Sequence, residues 1–228
     1  MVTKRSGAME AIDCIKTRKS IRKFKPEPVP EEVLKEVIAT ARWSPSYKNS
    51  QPWEVAVVSG DRKEALSKRL LELLESGRQK EPDLPEPESW PEAEGQRISA
   101  LIAQRKEALG VDLSDPEVIK QARMANFNFY GAPHVIYLYQ ESSLTPWSLF
   151  DLGLFAQSLM LAAHARGIGT VPQAFVTDYA VEVKEFLGIP ESKRLVLGLS
   201  IGYPDPEDKI NNLRTERAEV SEFVDWLE

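Results

Sequence analysis

The chain has 228 residues, of which 42% are hydrophobic and 28% are charged, and its formal net charge is −6. This length and composition are typical of one globular domain, and the negative charge argues against nucleic acid as the main partner, because phosphate binding needs a basic surface. Membrane spanning is not expected, since no apolar run approaches the roughly 20 residues that it requires. The polar start, Met1 to Met9, does not resemble a signal peptide. Cys14 is the only cysteine, which excludes an internal disulfide and favours the cytoplasm.

The first part of the chain predicts three helices and one strand. Apolar residues recur at helical spacing from about Ala8 to Thr17, and Pro30 followed by two glutamates predicts the start of a second helix. Trp53 to Ser59 is apolar and β-branched between a proline and a glycine, which is typical of a buried strand. Leucines at helical spacing from Leu66 to Leu74 predict a third helix.

The remainder predicts an insertion followed by the rest of the core. Gly77 to Asn128 begins with a proline-rich acidic stretch and continues as two helical patterns, with too few apolar residues for a core of its own. Two further buried strands are expected, at His134 to Tyr139 and Arg194 to Ile201. Ser148 to Arg166 is apolar on nearly all sides, which predicts a central helix. Few strands and many helices indicate a single α+β domain, with helices around a small sheet.

The usual catalytic motifs are missing from the sequence. It contains no G-x-S-x-G turn, no Walker loop and no G-x-G-x-x-G sequence, and one cysteine with two distant histidines gives no zinc-ligand spacing. His134 and His164 lie within predicted elements, where packing or capping explains them better than base catalysis does. No metal is therefore expected, and the chemistry must depend on other polar segments.

Three polar segments near element ends are the candidates for ligand binding. Arg18 to Arg22 places three cations and a hydroxyl just past a helix, where they could bind a phosphate or simply stabilise the helix end. Ser44 to Trp53 is a loop rich in amides and hydroxyls, which suits a polar heterocycle or a polyol. Asn211 to Arg217 adds two arginines, and its alternative interpretation is a solvated surface turn.

Four segments in this order resemble the nitroreductase family of flavoproteins. They are RKSIRKF at Arg18 to Phe24, SPSYKNSQPW at Ser44 to Trp53, HARGIGTVPQAF at His164 to Phe175, and GYP followed by NNLRTER at Gly202 to Arg217. The third is similar to the loop after the family's central helix. The resemblance implies a nitroreductase-like fold with a small, mostly antiparallel sheet, a homodimer, and a helical insert that covers the flavin.

The resemblance also assigns the residues that hold FMN. Its phosphate would be bound by cations, with Arg18 and Arg217 as the main ligands and Lys19, Arg22 and Arg214 in support. Ser20 would bond the phosphate or the ribityl chain, and Asn49 and Gln51 would meet the polar side of the ring and the ribityl hydroxyls. A further set would reach the flavin held mainly by the other subunit: Pro45, Ser46 and Tyr47. Backbone groups would lie at the N5 edge, around Pro172, Gln173 and Ala174.

The activity implied is hydride transfer from NAD(P)H through flavin N5 to a nitroaromatic, a quinone or a similar small acceptor. No side chain is expected to be catalytic, because the flavin carries the chemistry while the protein supplies position, electrostatics and shelter. Two alternatives remain open. One is another flavin reaction of the family, such as dehalogenation, enone reduction, flavin breakdown or oxidation of a peptide ring. The other is a flavin-binding protein without catalysis.

Overall fold

The computed structural model describes residues 9–110, 112 and 115–227 of the chain. Its centre is a four-stranded sheet in the order β1-β2-β4-β3, and every neighbouring pair is antiparallel. The strands are β1 (Glu54–Ser59), β2 (His134–Glu141), β3 (Gly169–Gln173) and β4 (Lys193–Gly202). The expected α+β class with a small antiparallel sheet is confirmed.

Helices cover both faces of this sheet. They are α1 (Ala11–Thr17), α2 (Glu31–Ala41), α3 (Gly60–Glu75), α4 (Glu92–Leu109), α5 (Pro116–Phe127), α6 (Pro146–His164) and α7 (Ala180–Leu187). Along β2, Ile136 and Leu138 pack with α2 and α6, whereas Val135 and Tyr137 pack with α3 and α7. Because successive strand residues face opposite sides, a strand with two covered faces is apolar throughout. None of the described helices is long and apolar enough to span a bilayer.

The structure corrects the sequence interpretation at the third motif. The segment expected as a loop contains the edge strand β3, which pairs with β4 from Gly169 to Gln173. Glycine and proline are typical of loops in a sequence, but the surroundings of Gly169 and Pro172 explain why both residues occur within this strand. A Cβ on Gly169 would lie 2.6 Å from Cγ1 of Ile21, and a proline, which lacks an N–H, is tolerated on an edge strand.

Two boundaries also differ from expectation. Helix α1 begins at Ala11 rather than near residue 8, which lies outside the described residues. The tail, Val220 to Leu227, has an amphipathic sequence, yet it forms only one short 3-10 turn, Val220–Glu222. Its apolar side chains therefore gain little cover from the rest of the described chain, and Trp226 remains 82% exposed.

Candidate cofactor site

The amino-terminal arginine segment lies along the free side of edge strand β3. The backbone N–H of Ile21 donates to the carbonyl of Thr170 at 3.0 Å, which extends the sheet by one parallel bridge. The backbone N–H of Arg22 donates to Oδ1 of Asn211 at 2.8 Å. Asn211, which is buried, also donates from Nδ2 to the carbonyl of Lys23 at 2.7 Å. One asparagine thus ties the first and the last arginine-rich motifs together.

These contacts gather all six predicted phosphate-site residues around one cavity. The cavity has a volume of about 520 Å³, and its walls include Arg18, Lys19, Ser20, Arg22, Arg214 and Arg217. No aspartate or glutamate is among the described residues that line it. The cavity therefore has a strongly positive wall and suits an anion.

Arg18 is the most constrained of these cations. Its Nε and Nη1 atoms are buried, yet no atom of the described residues accepts a hydrogen bond from them. Burial lowers the pKa of Arg18, and the positive charge of Arg217 lowers it further. A guanidinium that has lost water without gaining an acceptor is costly, and a bound anion would remove that cost.

A second cavity adjoins the first and shares Arg22 with it. It has a volume of about 490 Å³ and lies between the end of β3 and helices α4 and α5. Pro172, Gln173 and Ala174, which the family resemblance would place at the flavin N5 edge, line one wall, and apolar residues of the two helices line another, including Leu109, Val118 and Ala122. Its largely apolar walls suit a flat aromatic ligand, and the positive first cavity would hold a charged end of the same ligand.

A buried chain of hydrogen bonds fixes the wall at Gln173. The Nε2 atom of Gln173 donates to the backbone carbonyl of Asn126 at 3.0 Å and to its Oδ1 at 3.2 Å. The Oγ of Ser200 donates to Oε1 of the same glutamine. The Gln173 side chain is thus fully used in joining β4, β3 and α5, and only its backbone remains available to a ligand.

The loop at residues 44–53 is fastened by hydrogen bonds from its backbone, and the loop residues predicted to bind FMN do not line either cavity. The backbone N–H of Tyr47 donates to both carboxylate oxygens of Asp151, at 3.1 Å each, and that aspartate is buried in α6. The backbone N–H of Gln51 donates to Oγ of Ser46 at 3.0 Å. None of the predicted loop residues is among the described residues that line the two cavities; these are Pro45, Ser46, Tyr47, Asn49 and Gln51.

Sequence reasoning missed several residues that shape these cavities. Arg105 lines both, Tyr130 lines the second, and Asn211 and Asp151 fasten two of the motifs. Arg105 carried a usable signal, because it lies four residues from both Leu101 and Leu109 on one face of α4. Asp151 could also have been singled out from the sequence, because it is the one acidic residue of a largely apolar helix.

Comparison with known proteins identifies the family. The model of the nitroreductase family matches residues 15–203. Nitroreductase NfnB of Mycolicibacterium smegmatis is 36% identical over 222 residues, which cover 94% of this chain and 92% of that protein. The 4-nitrobenzoate reductase of Pseudomonas putida is 31% identical, with 93% of each chain covered.

A solved structure agrees with both sequence matches. The FMN-dependent nitroreductase NfnB from Mycobacterium smegmatis, crystallised in complex with NADPH, superposes with a TM-score of 0.91 at 34% identity and covers 96% of this chain and 98% of its own. The family model spans most of the chain, and the relatives are similar along nearly their whole length. The chain therefore belongs to the nitroreductase family, as its four motifs predict.

Proposed function

We propose that this protein is an FMN-dependent oxidoreductase that uses NAD(P)H to reduce nitroaromatics, quinones or similar small acceptors. The observation that carries the proposal is that two buried guanidinium nitrogens of Arg18 lack an acceptor among the described residues, in a cavity lined by cations beside a second cavity of aromatic-ligand size. The predictions of a nitroreductase-type enzyme and of FMN as its cofactor are confirmed by the family match and by the named relatives.

The residues fit FMN in both charge and shape. Its phosphate, with a charge approaching −2, would be held by Arg18, Lys19 and Arg217, with Arg22 and Arg214 in support. Its ring would lie in the second cavity, against the backbone of residues 172–174. When bound, FMN supplies hydride transfer at its N5 atom. The chain's own contribution is to orient the ring, neutralise the phosphate and keep water from the apolar cavity.

The electron donor and the acceptor would share the second cavity in turn. The solved relative was crystallised with NADPH, which supports a nicotinamide donor here. The sequence contains no second nucleotide-binding motif, so we expect a two-step exchange in one pocket. Initial-rate plots against both substrates should then give parallel lines, whereas intersecting lines would contradict a shared pocket.

We also propose a homodimer whose subunits complete each other's sites. Large apolar side chains are exposed on α6, where Trp147 and Phe150 are 63% and 62% exposed, and Trp43 and Trp226 are more than 80% exposed. Residues 45–51 lie away from the cavities of their own chain, so their polar groups would serve the partner's flavin. We expect the interface to bury more than ~2,000 Å² in total. Light scattering at low micromolar concentration should give twice the monomer mass. A fully active monomer would contradict this arrangement.

Residues 77–128 are proposed as an insert within a single domain that covers the flavin. Supporting this, α4 and α5 form one side of the second cavity, opposite the end of β3. The cytoplasm remains the proposed location, because one cysteine without a disulfide partner suits a reducing compartment.

The test of the cofactor site is Arg18→Ala. This substitution removes the desolvated guanidinium, and we expect FMN to bind ~10–100-fold more weakly, the scale of a charged hydrogen bond. Flavin fluorescence during dialysis or titration measures the change. Arg69→Ala on the exposed side of α3 is the matched control and should bind FMN as the wild type does. If Arg18→Ala also retains FMN at the wild-type affinity, the phosphate assignment is wrong.

A further inference from the structure

Arg105 is a cation in the wall of the candidate active site for which the described part of the chain supplies no counter-charge. It projects from α4, is half-buried, and borders both the phosphate cavity and the cavity for the ring. It is not among the residues that form ion pairs within the described ranges. Burial lowers the pKa of Arg105, and the positive charge of Arg22 lowers it further.

The phosphate of FMN does not need this residue. Besides Arg22 and Arg105, the phosphate cavity is lined by five cations: Lys16, Arg18, Lys19, Arg214 and Arg217. A dianionic phosphate leaves most of this charge without a counter-ion. The described residues that line the ring cavity, like those of the phosphate cavity, include no aspartate or glutamate. A second anionic group at the junction of the two cavities would therefore be stabilised.

Tyr130 stands beside Arg105 in the same wall. Its backbone φ is 54°, between Phe129 at 51° and Gly131 at 74°, so three consecutive residues adopt the left-handed conformation. This conformation is uncommon for bulky side chains, and such strain is concentrated at ligand sites. Tyr130 packs against the small apolar cluster that contains Ile21 and Val171, and its hydroxyl group is an additional hydrogen-bond donor within electrostatic range of Arg105.

We propose that Arg105 and Tyr130 bind the carboxylate of an anionic aromatic acceptor, so that the enzyme prefers nitrobenzoate-like compounds to neutral nitroaromatics. The inference rests on the proposed function and narrows its substrate class. A guanidinium and a carboxylate form paired, charge-assisted hydrogen bonds. In a compound whose nitro and carboxylate groups lie at opposite ends of the ring, binding of the carboxylate would direct the nitro group away from α4.

The test uses the FMN-loaded dimer and a pair of ligands that differ in charge but hardly in shape. Benzoate and benzamide are titrated without NADPH, and the flavin absorbance reports binding. The wild type should bind benzoate about 10-fold or more tightly than benzamide. Arg105→Gln should bring the two affinities within about 2-fold of each other and leave FMN occupancy unchanged. Arg97→Gln, which removes the same charge from α4 outside both cavities, should keep the wild-type preference.

Turnover of 4-nitrobenzoate and 4-nitrobenzamide with NADPH tests the proposed function separately from the anion site. If neither compound is reduced, the proposed function is wrong, whereas the benzoate titration still decides the anion site. If Arg105→Gln keeps the benzoate preference, the inference is overturned. The inference is also overturned if the variant loses FMN, which would place Arg105 in the cofactor site. A rise in the KM for NADPH alone would overturn it as well, because Arg105 would then serve the electron donor and not the acceptor. Tyr130→Phe should weaken benzoate selectively, and equal weakening of benzamide would count against its part in the site.

Discussion

The loop at residues 44–53 and helix α4 differ in how they are held to the rest of the molecule. The loop has positive φ angles at Lys48, Asn49 and Gln51, yet buried polar groups hold it, above all Asp151. Helix α4 is regular over 18 residues, yet none of them is buried. We therefore expect the irregular loop to be more ordered than the regular helix, because buried contacts restrain a segment more than backbone regularity does.

The few contacts of α4 lie at the surface. Gln104 Nε2 donates to the carbonyl of Arg214 at 2.8 Å, and Arg97 lies 3.8 Å from a carboxylate oxygen of Glu222. Solvent competes for exposed contacts such as these, so each contributes little. Helix α5 differs, because Gln173 joins it to the sheet through Asn126. The insert is thus fixed at its carboxyl-terminal end and weakly held at α4, which suits a wall that admits ligands in turn.

Hydrogen exchange should show the largest difference between the two regions. We expect the amides of α4 to exchange about 100-fold or more faster than the Tyr47 amide, since α4 can separate without exposing a buried core. Mass spectrometry of the FMN-loaded protein, with peptides covering 92–109 and 44–53, measures it. Similar protection in both peptides would show that α4 is held as firmly as the loop.

Gln173→Leu should have the next largest effect, because it detaches the insert from the sheet at its fixed end. The substitution removes the donor to Oδ1 and to the backbone carbonyl of Asn126, and it removes the acceptor of the Ser200 hydroxyl. We expect the free energy of unfolding to fall by about 3 kcal/mol. Urea denaturation measures it, and Gln96→Leu, at an exposed glutamine of α4 outside both cavities, is the control, expected within about 0.5 kcal/mol of wild type. Equal values for both variants would mean that the buried chain does not hold α5.

Asp151→Ala should loosen the loop. The Tyr47 amide would lose the carboxylate that accepts its hydrogen bond, and the positive φ angles that follow would lose their support. We expect a loss of about 1–3 kcal/mol in the free energy of unfolding, together with a lower kcat. Asp151→Asn keeps one acceptor oxygen and should lose less than half as much. If the alanine variant unfolds at the wild-type urea concentration, the loop owes its order to other contacts.

Gln104→Ala should have the smallest effect. It removes one half-exposed hydrogen bond between α4 and the chain after β4, so the free energy of unfolding should change by less than about 0.5 kcal/mol. The same urea titration measures it. A loss above 1 kcal/mol would place α4 among the firmly packed elements and contradict the comparison with the loop.

The sequence determined the family, the α+β class and the main elements, because these depend on local patterns. Continuous apolar runs marked β2 and β4 as strands covered on both faces, and the apolar positions of residues 148–166 marked α6 as central. The four motifs identified the family, since each keeps its residue types and its order along the chain. The structure also brings the six predicted phosphate residues together.

Which side chains meet depends on how the elements pack, and local sequence patterns do not contain that information. Strand β3 was missed because its glycine and its proline are typical of loops. Distant parts of the chain explain both residues: Ile21 approaches Gly169 closely, and the edge position of the strand tolerates Pro172. Asn211 and Asp151 fasten segments more than 100 residues away, so no local spacing announces them. Arg105 becomes informative only once α4 lies against the cavities, where the described residues give its charge no counter-ion. Periodicity encodes burial within one element, whereas desolvation of a charge depends on every element that surrounds it.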